Sequence, residues 1–187
     1  MGWTREANWL TYSLYFDTYC ISSFLWVKEE CILTSLYSGK IKLPQQVYNE
    51  LSYPGTPQLK ILVDVLINNN DAAVVPILTD TPEFSFYSKL TISPDEGHII
   101  IGKGEAAAIA LASTSGGTVA SNNLKDVAAY VSELGIRHIT TGDILIKALE
   151  ASLITENEGN VMWSAMLAKK RKIGAASFSD YLHAYKK

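Results

Sequence analysis

Short apolar segments alternate along this chain with longer segments in which apolar residues recur every three or four positions. The short segments predict strands at residues 13–17, 41–43, 73–78, 118–121 and 137–141. The longer segments predict helices at residues 21–37, from Pro44 through Glu50, 57–70, from Pro82 onward, 104–113, 124–134, 142–153 and 160–172. Alternating strands and helices predict an α/β fold, a three-layer α/β/α sandwich with a mainly parallel sheet.

Three acidic residues stand at informative points of this pattern. Asp17 ends the first apolar segment, in Tyr15-Phe16-Asp17-Thr18, and therefore lies at the carboxyl end of the first predicted strand. Open α/β sheets bind their ligands at that edge. Glu50 lies in the helix that begins at Pro44, and Glu105 opens the alanine-rich helix. Three carboxylates that the fold brings together would predict a divalent-metal site for a phosphate substrate.

Each of these acids also has an ordinary structural explanation. Asp17 can cap a helix or lie in a turn, Glu50 can be a solvated helix residue, and Glu105 can interact favourably with the dipole of its helix. The order of the three motifs along the chain is what favours a shared site over three separate structural roles.

In that order, the motifs resemble those of the PIN-domain family of metal-dependent ribonucleases. The resemblance is carried by Phe16-Asp17-Thr18, by Pro44-Gln45-Gln46-Val47-Tyr48-Asn49-Glu50-Leu51, by Gly102-Lys103-Gly104-Glu105-Ala106-Ala107, and by Thr141-Gly142-Asp143 after the last strand. It covers a core at residues 13–155 of one PIN-like domain, 1–187, with 156–187 as a helical extension. It implies RNA cleavage with Mg²⁺ or Mn²⁺, Asp17 as a direct metal ligand, and Glu50 and Glu105 as the other catalytic, metal-binding acids.

The chain departs from the family at a fourth position. PIN ribonucleases usually carry an aspartate just after the strand predicted at 118–121, where this chain has Asn122 and Asn123. An asparagine oxygen can bind metal but supplies no charge, so a second metal should be weakened more than the first. Asp126 and Asp143 are the candidate accessory acids, although each also suits an ordinary helix position.

Two other functions stay open at this point. A PIN-like module with asparagines at the fourth position can bind RNA or a partner protein without cleaving. An unrelated α/β protein for a small molecule can carry the same acids without their meeting. Many bacterial PIN proteins are toxins that a small antitoxin inhibits, so the resemblance also implies an antitoxin partner and a homodimer.

The charge of the chain limits how it can bind nucleic acid. Its formal net charge is −3 and its pI is near 5.6, so affinity for RNA has to come from a local basic patch or from metal. Lys169-Lys170-Arg171-Lys172 is a basic cluster that either complements a helix C-terminus or contacts phosphates. Lys103 is a second candidate for a phosphate contact.

Two other motifs carry no chemistry. The segment 97–103 matches GxxxxGK, but Gly104 follows where a P-loop needs a serine or threonine hydroxyl for Mg²⁺. His98, His138 and His183 share no zinc-ligand spacing.

The cysteines and apolar runs predict a cytoplasmic protein. Cys20 and Cys31 form no CxxC motif, which fits a reducing compartment. No apolar run approaches the ~20 residues that a membrane span needs, and the first residues do not resemble a signal peptide.

Overall fold

The computed structural model describes residues 12–186, apart from the side chains of Leu124 and Asp126. Within that range one sheet has the strands β1 (Leu14–Phe16), β2 (Ile41–Pro44), β3 (Ala72–Val75), β4 (Thr118–Ala120) and β5 (Arg137–Ile139). Their order across the sheet is β3-β2-β1-β4-β5, and every neighbouring pair is parallel. The predicted α/β fold with a parallel sheet is confirmed.

Helices connect these strands and cover both faces of the sheet. In the described residues they are α1 (Thr18–Val27), α2 (Glu30–Tyr37), α3 (Gln45–Leu51), α4 (Pro57–Asn68), α5 (Pro82–Ile92), α6 (Lys103–Ser115), α7 (Leu124–Glu133), α8 (Thr141–Glu150), α9 (Glu156–Ala168) and α10 (Phe178–Tyr185). Over residues 12–186, none of them has the length and apolar character that crossing a membrane requires.

The two faces of the sheet bury two separate apolar clusters. Alternation along β1 sends Leu14 and Phe16 to one cluster and Tyr15 to the other. The first cluster takes buried residues from α1–α4 and α8–α10, and the second takes them from α5, α6 and α7. The sheet therefore lies between two helical layers, as the predicted three-layer sandwich requires.

The single helix predicted at 21–37 is wrong, because the chain forms two helices there. α1 ends at Val27, since Lys28 adopts a left-handed backbone conformation with φ of 60°. The N–H groups of Lys28 and Glu29 then bond back to carbonyls of the last turn of α1. Glycine usually occupies such a position, so the sequence does not mark the break. Cys20 and Cys31 consequently lie in different helices.

Two further differences from the predicted boundaries have a clear local cause. β3 ends at Val75 instead of continuing to residue 78, because Pro76 has no N–H to donate to a neighbouring strand. The helix predicted at 160–172 is α9, which begins at Glu156. It starts earlier because Thr155 and Glu158 form a reciprocal capping box, with the Thr155 N–H donating to the Glu158 carboxylate at 2.7 Å.

The C-terminal helices pack into the main core. Trp163 and Phe178 are fully buried in the same cluster as Phe16 of the central strand. The Trp163 indole N–H donates to the carbonyl of Ala175 at 3.0 Å, which satisfies its buried polar atom. The segment predicted as an extension thus supplies part of the apolar interior.

The strand order creates a crevice at the carboxyl end of the sheet. The chain proceeds from β1 to β2 and β3 on one side, and β4 then pairs with the opposite edge of β1. Because the strand order reverses at β1, the connections that follow β1 and β4 run in opposite directions and leave a gap between them. Ligands of open α/β sheets bind at such points. Asp17 follows β1 and Ser121 follows β4, so both lie at this crevice.

Candidate functional site

Asp17 is the buried centre of the candidate site. Its N–H donates to the Ala120 carbonyl at 2.9 Å, which holds the end of β1 against β4. Its side chain accepts the N–H of Cys20 at 2.6 Å, so Asp17 caps α1, and it also accepts the hydroxyl of Ser121. None of the residue is exposed to solvent. The Asp17 carboxylate therefore caps α1 and also lies at the crevice.

Burial raises the pKa of Asp17 to about 7, from an ordinary value of 3.8. The hydrogen bonds from Ser121 and Cys20 oppose this rise in the pKa, whereas the negative charges of Glu105 and Glu50 add to it. The three carboxylates therefore lie close enough to repel one another. A group with such a pKa exchanges its proton near neutral pH, as groups at functional sites commonly do.

Glu105 is linked to Asp17 through two polar residues at the end of β4. The Asn123 side-chain amide donates to Glu105 at 2.7 Å, and the Asn123 backbone N–H donates to the Ser121 hydroxyl oxygen at 3.1 Å. Ser121 in turn donates to Asp17. Glu105 is only 7% exposed, and its second oxygen accepts the N–H of Gly102 at 3.1 Å. Two buried acids are thus joined by one continuous hydrogen-bonded chain.

Glu50 reaches the same place from α3, but from the solvent side. Its carboxylate accepts the hydroxyl of Thr18, the residue after Asp17. Gly104, the residue before Glu105, packs against this pair: a Cβ built there would lie 3.1 Å from the Glu50 Oε2 and 3.1 Å from the Thr18 Oγ1. The three sequence-predicted acids therefore converge at one crevice, with Glu50 exposed and the other two buried.

The chemistry of these side chains suits a hard divalent cation, because carboxylate oxygens are the ligands of Mg²⁺ and Mn²⁺. In the described part of the chain, however, no group of three His, Cys, Asp or Glu side chains is arranged to hold a metal ion. Like charges repel, and each carboxylate accepts a hydroxyl or amide hydrogen bond instead. The acids fit an ion that keeps most of its water and meets only one or two carboxylates directly.

The two asparagines at the fourth position have different surroundings. The Asn122 side-chain oxygen accepts the N–H of Thr141 at 2.9 Å, and its amide donates to the Thr141 hydroxyl at 2.8 Å. This pairing ties the end of β4 to the start of α8 and uses the oxygen that a metal would need. Asn123 instead faces Glu105 through its amide. Of the two, Asn123 is therefore the residue at the acids.

None of the three accessory candidates is seen to contact the acids in the described part of the chain. Asp143 forms the capping box of α8 with Thr140 and accepts the hydroxyl of Tyr181 at 3.1 Å, so both of its oxygens serve the fold. Lys103 is exposed at the first position of α6, one residue from Gly104. Asp126 lies outside the described side chains.

Three residues that the sequence did not predict as part of the site lie around the acids. Thr18 and Ser121 each donate a hydroxyl to a predicted acid. His138 lies behind Ser121 and donates its Nε2–H to the Ser121 carbonyl at 2.9 Å, while burial lowers the pKa of its imidazole. Thr18 and Ser121 each stand beside a predicted position, and that adjacency is the signal that could have found them.

A comparison with known protein families found no family model that matches this chain, and a search of curated proteins found no match either. The PIN resemblance therefore rests on the motifs named above and stays a prediction.

Proposed function

We propose that this protein is a metal-dependent endoribonuclease that hydrolyses RNA phosphodiesters with Mg²⁺ or Mn²⁺. The observation that carries the proposal is the buried pair Asp17 and Glu105, joined through Ser121 and Asn123, with Glu50 beside it. Among the described residues, no lysine or arginine forms an ion pair with these acids. Buried acids without a basic partner destabilise a fold, so a cation is the partner that suits them best.

Each residue has a distinct part in this chemistry. With one or two of Asp17, Glu50 and Glu105 as direct ligands and the rest reached through water, a divalent ion would supply charge neutralisation at the phosphate and a lower pKa for the attacking water. Ser121 and Thr18 hold the Asp17 and Glu50 carboxylates in fixed directions through their hydroxyl groups. Glu50 is exposed, so it is the acid that is open to substrate and water.

A second candidate function is binding of RNA or a partner protein without cleavage. The observation in its favour is Asn123, whose amide occupies one oxygen of Glu105 at the place where the family usually has a fourth acid. A small antitoxin and a second copy of this chain are partners that the resemblance alone suggests.

The nuclease proposal predicts that Asp17→Ala loses cleavage of single-stranded and structured RNA in Mn²⁺. We expect a fall of at least about 100-fold, because a catalytic metal contributes several kcal/mol to transition-state stabilisation. Cleavage is measured on gels from matched preparations, with and without EDTA, and folding is checked by circular dichroism.

Asp71→Ala is the matched control for this assay. Asp71 also accepts a serine hydroxyl, that of Ser38 at 2.8 Å, but it precedes β3 at the opposite edge of the sheet. We expect Asp71→Ala to cleave as the wild type does. Equal cleavage by wild type and Asp17→Ala would contradict the site. No cleavage by the wild type would contradict the enzyme and favour the binding module.

A second prediction concerns the close approach at Gly104. Gly104→Ala places a methyl group against Thr18 and Glu50, so that pair must separate by a few tenths of an ångström. We expect roughly tenfold slower cleavage, since small misplacements of catalytic groups are costly. The free energy of unfolding should change by no more than about 1 kcal/mol, because alanine is the better helix former.

The control for Gly104→Ala is Ser115→Ala at the far end of the same helix, α6. It should leave the rate of cleavage unchanged. Unaltered cleavage by Gly104→Ala would show that the position of Glu50 does not matter for the reaction.

A further inference from the structure

A cavity of about 260 Å³ opens beside the acids, and its lining differs from theirs in charge. It is lined by Tyr19, Asn122, Asn123, Lys125 and Lys172. Tyr19 follows Asp17 by two residues, and Asn123 is the residue that donates to Glu105. The cavity therefore shares a wall with the acidic site while presenting two ammonium groups and an aromatic ring.

The turn after α9 accounts for the presence of Lys172. Lys170 adopts a left-handed conformation with φ of 59°, and the N–H of Arg171 bonds to the Met166 carbonyl at 3.0 Å. This Schellman turn reverses the chain toward α1. The Arg171 guanidinium then donates to the Ser22 hydroxyl at 3.2 Å and lies 5.9 Å from the centre of the Tyr19 ring. Arg171 thus fixes the turn beside Tyr19.

The two lysines of the cavity are available to an anion. In the described part of the chain, neither Lys125 nor Lys172 takes part in a salt bridge. A helix dipole does not explain Lys172, because α9 ends at Ala168 and the dipole acts only within the last turn. Tyr19 is 48% exposed, so its aromatic side chain is accessible to a stacking partner.

We infer that this cavity binds one unpaired nucleotide of an RNA strand, next to the phosphodiester at the acids. This inference rests on the proposed nuclease function and adds a subsite to it. Lys125 and Lys172 bind the phosphate of that nucleotide, and Tyr19 stacks on its base. Asn122 and Asn123 form the wall between this nucleotide and the acidic site.

The size of the cavity and its aromatic ring select single-stranded RNA over a duplex. A volume of about 260 Å³ is just below the range of about 300–1,000 Å³ that is usual for small-molecule sites, so it suits one nucleotide and no more. Stacking on Tyr19 requires a base that is not stacked on neighbouring bases. Bases inside an RNA helix are stacked on their neighbours and are therefore not available to Tyr19.

The test measures RNA binding in EDTA, so that binding is separated from cleavage. A short fluorescent single-stranded RNA is titrated with wild type, Lys125→Glu, Lys172→Glu and Tyr19→Ala, and fluorescence anisotropy is recorded at several salt concentrations. We expect each lysine variant to bind more weakly and to reduce the salt dependence, by about 0.7 in slope for each lost phosphate contact. Tyr19→Ala should bind about tenfold more weakly, and Tyr19→Phe should bind as wild type does.

Lys40→Glu is the matched control for charge. Lys40 precedes β2 at the opposite edge of the sheet, so this variant carries the same change in net charge away from the cavity. It should bind RNA nearly as wild type does. A duplex RNA of equal length should bind wild type and Tyr19→Ala equally.

Two results would overturn the subsite: no RNA binding by the wild type, or equal affinities for wild type and the cavity variants. Either could occur in a protein that still cleaves RNA through its acids. Conversely, binding that depends on Lys125, Lys172 and Tyr19 in a protein inactive with Mn²⁺ would support the subsite and defeat the nuclease proposal. The binding and cleavage results therefore distinguish a failure of the subsite from a failure of the nuclease proposal.

Discussion

Asp17→Asn is expected to be more stable than the wild type at pH 8, by roughly 2–4 kcal/mol in the free energy of unfolding. The pKa of Asp17 rises from 3.8 to about 7 on folding, and each pKa unit corresponds to about 1.4 kcal/mol. Asparagine fits the site, since its oxygen can accept the Cys20 N–H and its amide can donate to Ser121. It also caps helices about as well as aspartate does.

The expected dependence on pH follows from the direction of this shift. Between pH 4 and 7 the unfolded chain has released the Asp17 proton while the folded chain retains it, so stability falls as the pH rises. The contribution of Asp17 is fully present below about pH 4 and is lost as the pH passes about 7. In Asp17→Asn this fall is absent, and all other titrating groups are shared with the wild type.

Urea denaturation of both proteins at several pH values between 4 and 8 measures the difference. The gap should be small at pH 4 and largest at pH 8. Adding Mn²⁺ at pH 8 should narrow it, because a cation beside Asp17 stabilises the ionised wild-type carboxylate and has no such effect on asparagine. If the difference in the free energy of unfolding stayed constant from pH 4 to pH 8, burial would not raise the pKa of Asp17.

Trp163→Ala is expected to lose about 3–5 kcal/mol in the free energy of unfolding, the usual loss for a buried aromatic residue. Trp163 is fully buried, and its ring lies 5.4 Å from that of Tyr181 and 6.1 Å from that of Phe178 between centres. Its removal leaves a cavity between α9 and α10 and also leaves the Ala175 carbonyl without its donor. The whole domain should be destabilised, because Trp163 belongs to the cluster that contains Phe16.

Val161→Ala provides the control within the same helix. Val161 is 64% exposed, so its truncation should change stability by no more than about 0.5 kcal/mol. Denaturant unfolding should show one transition for each protein. If Trp163→Ala instead loosened the C-terminal helices alone, in a separate early transition, residues 156–186 would be an independent appendage.

The sequence predicted the elements that depend on local pattern. The order of strands and helices followed from apolar spacing, and the position of Asp17 at a strand end followed from an apolar run that stops at an acid. Local signals for helix starts were present in the sequence as well. Pro82 correctly predicted the start of α5. Thr155 and Glu158 have the spacing of a capping box, although the helix there was predicted to begin later.

Other features escaped prediction because the signal was missing from the local sequence. The left-handed turns at Lys28 and Lys170 lack the glycine that usually marks such turns. The sequence therefore did not predict the break between α1 and α2, nor the turn that brings Lys172 toward α1. Asn122 and Asn123 after β4 are chemically identical neighbours, so the sequence does not show which of them lies at the acids. Only their neighbours in space assign Asn122 to Thr141 and Asn123 to Glu105.

Local patterns along the chain were therefore enough to predict the α/β class and the three candidate acids. The proximity of these acids depends on the fold, because the strand order sets β4 beside β1 and brings Ser121 to Asp17 across 104 positions of the chain. The same packing buries Asp17 completely and places a cavity with two lysines beside Asn123, the partner of Glu105. Parallel strands can pair in any order with similar backbone hydrogen bonds, so the choice among orders depends on which side chains pack together, and packing involves the whole chain.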